Sequence, residues 1–204
     1  MYLSRMTLNQ SRLAMNWVSN PYRVHQRLMM ASDKDPRLLF RIEDQQTPIR
    51  ILAQTWREPD WSAAFKSFDV LSMTVECKLF DPLLATGAAY HFRLLANPTI
   101  KKSHSGDGQG KRIGLLKDEA QLAWLSRKLN AAGAQILTCQ VNRNEIQRLE
   151  KNPRKDDATL THLSVLFEGV LIVQYPPQLV ASIKKGIGSA KGFGFGLLSL
   201  ARAD

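Results

Sequence analysis

Tyr22 and His25 lie three residues apart in the segment Asn20-Pro21-Tyr22-Arg23-Val24-His25. On a helix that spacing puts both side chains on one face, within reach of one small target. Asn20 followed by Pro21 is a helix-opening pair, the asparagine capping and the proline occupying the first helical position. A histidine titrates at about 6.5, so near neutral pH it can both accept and return a proton. A phenol beside it, with a pKa of about 10, is suited to orienting a group or donating a hydrogen bond. Such a pair fits general acid–base chemistry on a phosphodiester. In RNA the 2′-hydroxyl is itself the nucleophile, so cleavage needs a base for that proton, an acid for the leaving 5′ oxygen, and stabilisation of the phosphorane charge. Taken alone, a Tyr-x-x-His pair also fits a helix surface with its polar tips in water. His91, His104 and His162 read as surface or packing residues rather than catalytic ones.

The elements that must position this pair follow from the periodicity of the chain. Residues 2–8 alternate as a strand, and the helix opened at Asn20 follows. The runs LLFRIE (38–43) and IRILAQT (49–55) form a hairpin across DQQTP, Asp60 caps a short helix, and residues 68–80 return as a strand. The order is β-α-β-β-α-β. A linker, DPLLATGAA (81–89), precedes a second pass. YHFRLLANP opens it as a strand limited by Pro98, and a polar loop SHSGDGQGKR interrupts. Asp118 is then expected to cap a helix carrying Leu122, Leu125, Leu129 and Ala132, which ends near Gly133. Strands over 135–148 and 159–173 flank the charged turn EKNPRKDDA. Pro176-Pro177 opens a last helix, and FGLLSLA closes the pattern. Twice-repeated β-α-β-β-α-β order predicts an α+β protein of two tandem ferredoxin-like (RRM-like) domains, 1–85 and 90–204, the first with the Tyr22–His25 helix and the second with a basic hairpin and a glycine-rich loop.

Charge narrows the partner. Among 204 residues, 28 Lys and Arg face 18 Asp and Glu, a net charge of +10, which favours a polyanion, with nucleic acid ahead of a membrane surface. A composition 44% hydrophobic and 23% charged is that of a globular protein with a core. No apolar run reaches membrane-spanning length and no secretion signal opens the chain, which makes the cytoplasm the expected compartment. Cys77 and Cys139 have neither CxxC spacing nor a histidine pair nearby, so both are expected as core thiols and no metal site is expected. Basic residues cluster at Lys101-Lys102 with Lys111-Arg112, at Arg127-Lys128, and at Lys151, Arg154 and Lys155.

The segment from Lys191 to Gly196, KGFGFG in sequence, admits several readings. As an RNP1 strand it would stack bases on Phe193 and Phe195, but it departs from that consensus at Gly196 and Leu198 and lies at the entry to the fourth strand rather than on the third. As a phosphate loop it matches neither Walker A nor the dinucleotide fingerprint, which disfavours a small-molecule enzyme that holds a nucleotide there. As a run of close-set backbone N–H groups beside Lys184, Lys185 and Lys191 it can approach a phosphodiester unobstructed, and as plain packing it is a tight turn.

The combination of MYLSR at the start, YRVHQRL after the first strand, RLLANP with GKR downstream, and FEGVL followed by IKKGIGSAKGFGFGLLSLA closely resembles the CasE family, the CRISPR-associated endoribonucleases of type I-E systems. The resemblance spans both domains. It implies that His25 and Tyr22 are catalytic, that Arg23 and Arg27 beside them bind phosphate, and that KGFGFG is a loop that positions RNA through its backbone. Gly188, Ser189, Lys191, Gly192 and Gly194, with Lys184 and Lys185, then join Lys101, Lys102, Lys111, Arg112, Arg127, Lys128, Lys151, Arg154 and Lys155 as candidate RNA contacts. It implies metal-independent cleavage of CRISPR precursor RNA at the 3′ base of the repeat hairpin, with no small-molecule cofactor. The product crRNA is retained with the other subunits of Cascade. A third catalytic group is left open, with Lys191 and Ser189 as candidates. The alternative function is a catalytically inactive, RNA-binding structural subunit of the same ribonucleoprotein.

Overall fold

A computed structural model describes residues 1–33, 37–44, 47–102, 111–149 and 160–203. Two four-stranded antiparallel sheets organise the chain. The first contains β1 (Tyr2–Thr7), β2 (Leu39–Glu43), β3 (Arg50–Thr55) and β4 (Glu76–Leu79) in the order β2-β3-β1-β4. The second contains β5 (Ala89–Ala96), and, beyond the separate two-stranded ladder of β6 (Thr99–Lys102) with β7 (Lys111–Gly114), β8 (Ala134–Leu149), β9 (Leu160–Val173) and β10 (Leu198–Arg202) in the order β10-β5-β9-β8. Each sheet has its first and third strands in the middle, the arrangement of a ferredoxin-like domain.

Helices cover one face of each sheet. α1 (Arg12–Val18), α2 (Pro21–Ala31) and α3 (Trp61–Phe65) seal the first around Met6, Val24, Leu28, Phe40, Ile51 and Val70. α4 (Asp118–Ala131) and α5 (Pro176–Lys185) seal the second around Phe92, Leu94, Trp124, Leu125, Leu129, Phe167 and Leu179. Met1, Phe80 and Leu84 pack on this second core, so both the chain start and the connecting segment are pinned to it.

Four expectations change. α1 is a helix the periodicity did not announce; the Ser11 hydroxyl accepts from Ala14 N–H and caps it. Residues 68–75 are not strand, although Leu8 bridges Leu71. Val70 is buried and Phe68 meets Trp17 edge-on, so this apolar run plugs the first core instead of pairing along its length. Asp118 is the first helical residue rather than the cap; Lys117 holds the cap position without a side-chain bond, and Asp118 and Glu119 place negative charge in the first turn. Cys77 is exposed on β4 and Cys139 is only half buried, so neither is a plain core thiol; burial pushes the Cys139 thiol up to about 11.

The two sheets are tied across their boundary by polar contacts. Arg41 of β2, 2% exposed, donates to the carbonyls of Arg93 (3.2 Å) and Leu197 (3.1 Å) and to the Ser199 hydroxyl (3.0 Å), while Glu43 accepts from the same guanidinium at 2.8 Å. Gln54 of β3 donates to the Ile183 carbonyl at the end of α5 (3.1 Å). These contacts place the loop after α5 against α2.

Candidate active site

α2 begins where expected. Asn20 Oδ1 accepts from the backbone N–H of Tyr22 (3.1 Å) and Arg23 (3.3 Å), and Pro21 fills the first helical position. Val24 and Leu28 anchor the helix in the first core, which leaves Tyr22 and His25 half buried at the boundary with the second sheet. Their ring centroids are 6.4 Å apart.

The glycine segment closes over this pair. Leu95, Leu166 and Phe195 form a small core on the sheet face opposite the helices, and Phe195 is fully buried there. That excludes Phe195 as a base-stacking platform. Lys191–Phe193 form a 3₁₀ turn, entered through Ala190 at φ 62° and left through Gly194 at φ 87°. Gly192 lies against the edge of His25: a Cβ there would sit 3.4 Å from Cδ2 and 3.5 Å from Nε2. Gly194 lies over Phe40, whose ring is within 15° of parallel to His25 with centroids 6.0 Å apart. Phe193 stacks on Tyr22 at 5.6 Å. The opening residues of α2 are therefore enclosed by one loop from the second domain and one strand of the first.

His25 Nδ1 is buried with no hydrogen-bond partner among the described residues, and Nε2 is the ring nitrogen beside the glycine loop. Burial lowers the pKa of His25 below the ordinary histidine value, which keeps the imidazole neutral at pH 7 and able to accept a proton. Lys191, adjacent to Gly192, donates from Nζ to the Lys185 carbonyl at 2.6 Å. Burial, and then the neighbouring charge of Lys185, lower its pKa.

Beside the same loop, Thr99, Arg112, Trp124, Lys128, Gly188, Ser189, Ala190 and Lys191 line an open groove of about 430 Å³. Gly188, at φ 87°, rests on Trp124, where a Cβ would come within 3.2 Å of the ring. The ladder of β6 and β7 sets Lys101 opposite Arg112 and Lys102 opposite Lys111, so four basic residues share one two-stranded ribbon. Fold geometry thus gathers Arg112, Lys128, Ser189, Lys191 and Gly188, drawn from three separate sequence clusters, around one concavity. Arg127 is exposed on α4 next to Lys128.

Other candidates point elsewhere. Arg23 and Arg27 line a different groove with Trp17, Gln26, Met30 and Phe68, and Arg27 is engaged there, donating to the Ala64 carbonyl (3.1 Å) and lying 4.2 Å over the Phe68 ring. Lys184 extends over Trp56, 5.6 Å from its centroid, and Lys185 is exposed. Lys151, Arg154 and Lys155 lie outside the described residues, as does His104. Phe40 and Trp124 escape a sequence reading as site-forming residues. Each is an ordinary apolar residue of a strand or helix, and only the folded arrangement brings it to the site.

The sequence matches the family described as CRISPR associated protein over residues 1–202. It is 34% identical to the CRISPR-associated endoribonuclease Cse3 of Thermus thermophilus, covering 98% of this chain and 100% of the relative. Identity to the CRISPR system Cascade subunit CasE of Escherichia coli K12 is 31%, over 98% of this chain and 99% of that protein. The fold superposes on Thermus thermophilus Cse3 bound to an RNA representing a pre-cleavage complex with a TM-score of 0.86 at 32% identity, covering 98% of both chains.

Proposed function

Since the chain belongs to the CRISPR-associated protein family, with relatives that include an endoribonuclease and a Cascade subunit, we propose that it is the endoribonuclease that cuts CRISPR precursor RNA at the 3′ base of the repeat hairpin. The observation that carries this reading is the backbone of Gly192 lying against the imidazole edge of His25, which sets a loop residue without a side chain beside a neutral base; the N–H groups of Phe193, Gly194 and Gly196 are bonded within the protein, to the carbonyls of Ala190, Lys191 and Leu95.

In this reading His25 Nε2 takes the proton of the 2′-hydroxyl at the cut. The O2′–P bond forms as the P–O5′ bond breaks, the 5′ oxygen takes a proton from water as it leaves, and His25 returns the 2′-hydroxyl proton to the resulting hydroxide, so the protons balance. The products are a 2′,3′-cyclic phosphate and a 5′-hydroxyl, with no water consumed. Tyr22 orients the scissile phosphate through its phenol. The groove of Arg112, Lys128, Ser189 and Lys191 holds the phosphates of the flanking strand, and the Lys101, Lys102, Lys111 and Arg112 ribbon follows the backbone of the stem. Lys151, Arg154 and Lys155 add their charge to RNA binding. After cutting, the crRNA stays bound and the protein joins the other Cascade subunits in the cytoplasm; among the described residues no helix is long and apolar enough to cross a membrane.

The test is cleavage of the repeat hairpin RNA at saturating enzyme, so that slow product release does not mask the chemical step. Cutting is expected to persist in excess EDTA, and an RNA with 2′-deoxyribose at the cut is expected to bind and stay intact. A strict divalent-metal requirement, or cleavage of the deoxy substrate, overturns the mechanism. Tight hairpin binding with no cleavage would make the protein a structural subunit.

A further inference from the structure

His162 of β9 makes no part of the reaction above, yet one of its ring nitrogens, Nδ1, is held by Asn97, while Nε2 is buried with no hydrogen-bond partner among the described residues. Asn97, 5% exposed, follows β5 and uses both ends of its side-chain amide. Its Oδ1 accepts from the backbone N–H of Leu163 at 3.2 Å, and its Nδ2 lies 3.0 Å from His162 Nδ1. The first bond fixes which way the amide points, because an N–H can only donate. The amide NH₂ therefore faces Nδ1, which must act as acceptor, and the ring proton must sit on Nε2. An imidazolium would set two donors against each other across that 3.0 Å contact, so the ring is held neutral. Burial lowers its pKa in the same direction.

The ring so fixed packs on the glycine loop. Its centroid lies 4.7 Å from Phe193 and 6.0 Å from Phe195. Phe193 in turn stacks on Tyr22 at 5.6 Å, and the next residue back, Gly192, meets His25. A continuous column, Asn97–His162–Phe193–Tyr22, thus runs from the second sheet to the helix that carries Tyr22 and His25.

We propose that His162, set in its Nε2–H tautomer by Asn97, is a positioning residue: it clamps Phe193 of the glycine loop against Tyr22 and so fixes the phenol and the Gly192 backbone relative to His25. The proposal rests on the cleavage reading for its kinetic consequence, not for its geometry. Removing the clamp loosens the placement of reacting groups without removing any of them, so the loss falls on the chemical step and not on RNA binding, which the basic groove and ribbon carry.

A double-mutant cycle tests the order of the column. His162→Ala and Phe193→Ala are each expected to slow single-turnover cleavage about ten- to a hundredfold, as small misplacements of reacting groups do, with hairpin affinity nearly unchanged. The double variant is expected to be no slower than the slower single, because His162 acts only through Phe193. Asn97→Ala, which leaves every ring in place, is the milder variant and is expected to slow cleavage by a smaller factor. Nitrogen NMR of the wild-type protein should show His162 protonated at Nε2 alone, and the Tyr22 ring resonances should move in His162→Ala although Phe193 stands between the two side chains. Additive effects in the cycle, wild-type rates in both His162→Ala and Asn97→Ala, or an Nδ1–H tautomer would each overturn the clamp. Wild-type protein that binds hairpin RNA without cutting it would refute the cleavage reading alone, and the tautomer and Tyr22 resonances would still decide the clamp.

Discussion

His25 is the residue whose environment supports its proposed role most directly. One ring nitrogen is buried, the other faces the glycine loop, and burial alone depresses its pKa. Below its folded pKa the imidazolium cannot accept a 2′-hydroxyl proton, so the acid limb of the single-turnover rate should lie below pH about 6.5. His25→Ala should cost at least about a hundredfold in that rate, the scale of general acid–base transfer, with hairpin affinity nearly retained. Tyr22→Phe should cost less, since in the proposed mechanism the phenol orients rather than exchanges the proton. The same depression has a linkage consequence with a definite sign. An unfolded chain binds protons at His25 and His162 at higher pH than the folded one, so their contribution to stability is intact above about 6.5 and lost as pH falls through the depressed folded values. Thermal unfolding followed at pH 7.5 and 5.5 checks that direction. A rate at pH 7 that is unchanged in His25→Ala would place the base elsewhere.

At the scale of elements, the proposed mechanism divides the work between the loop after α5, for chemistry, and the ladder of β6 with β7, for binding. Gly194 is at φ 87° with a Cβ position 3.3 Å from the Phe40 ring that backs His25. Gly87 is equally left-handed, at φ 80°, but with open space around it. Alanine in a left-handed conformation costs about 1–2 kcal/mol, so both Gly194→Ala and Gly87→Ala should lower Tm by about 2–8 °C. Only Gly194→Ala should slow cleavage, because only there does the new methyl press on the wall of the site. Equal rates in the two variants would detach the loop from catalysis. The ladder makes the opposite prediction. Lys101→Gln with Arg112→Gln should weaken hairpin binding and reduce the slope of log K against log salt by up to about 0.9 for each phosphate that is no longer neutralised. Cleavage at saturating enzyme should change little. An unaltered salt slope would assign the ribbon to solvent.

For the whole molecule, the contacts that matter most are those of Arg41, which cross between the sheets. Arg41 is nearly completely buried, and its guanidinium is shared among Glu43, two carbonyls of the second domain and Ser199. Glu43 also lies 3.7 Å from Arg93, which pairs with Glu168 at 3.2 Å, so a line of alternating charge continues into the second sheet. Removing one partner from a buried pair leaves the others desolvated and unmatched, at a cost of about 3–5 kcal/mol. Arg5→Ala, which breaks a half-exposed pair with Glu76, should cost no more than about 1 kcal/mol. Urea unfolding of the two variants reads that contrast. A small loss in Arg41→Ala would mean that the buried arginine does not hold the two domains together.

Local pattern in the sequence determines much of this protein. Asn20-Pro21 opens α2, the β-α-β-β-α-β order appears twice, and the basic excess points to a polyanion, because caps, alternation and net charge act over a few residues or over the composition as a whole; that the polyanion is RNA, met by KGFGFG, is what the family resemblance adds. Local pattern misleads where an apolar run does another job: residues 68–75 have the composition of a strand but fill a core. What only the tertiary structure decides is who stands next to His25. Phe40, Gly192 and Phe193 come from distant segments, and Asn97 reaches His162 across 65 residues of chain. Arg27, equally basic and two positions from His25, turns instead to Ala64 and Phe68 because helical rotation sends it to another face. Neighbours so far apart in the chain depend on how two sheets dock through a buried arginine, and no spacing along the chain encodes a docking angle.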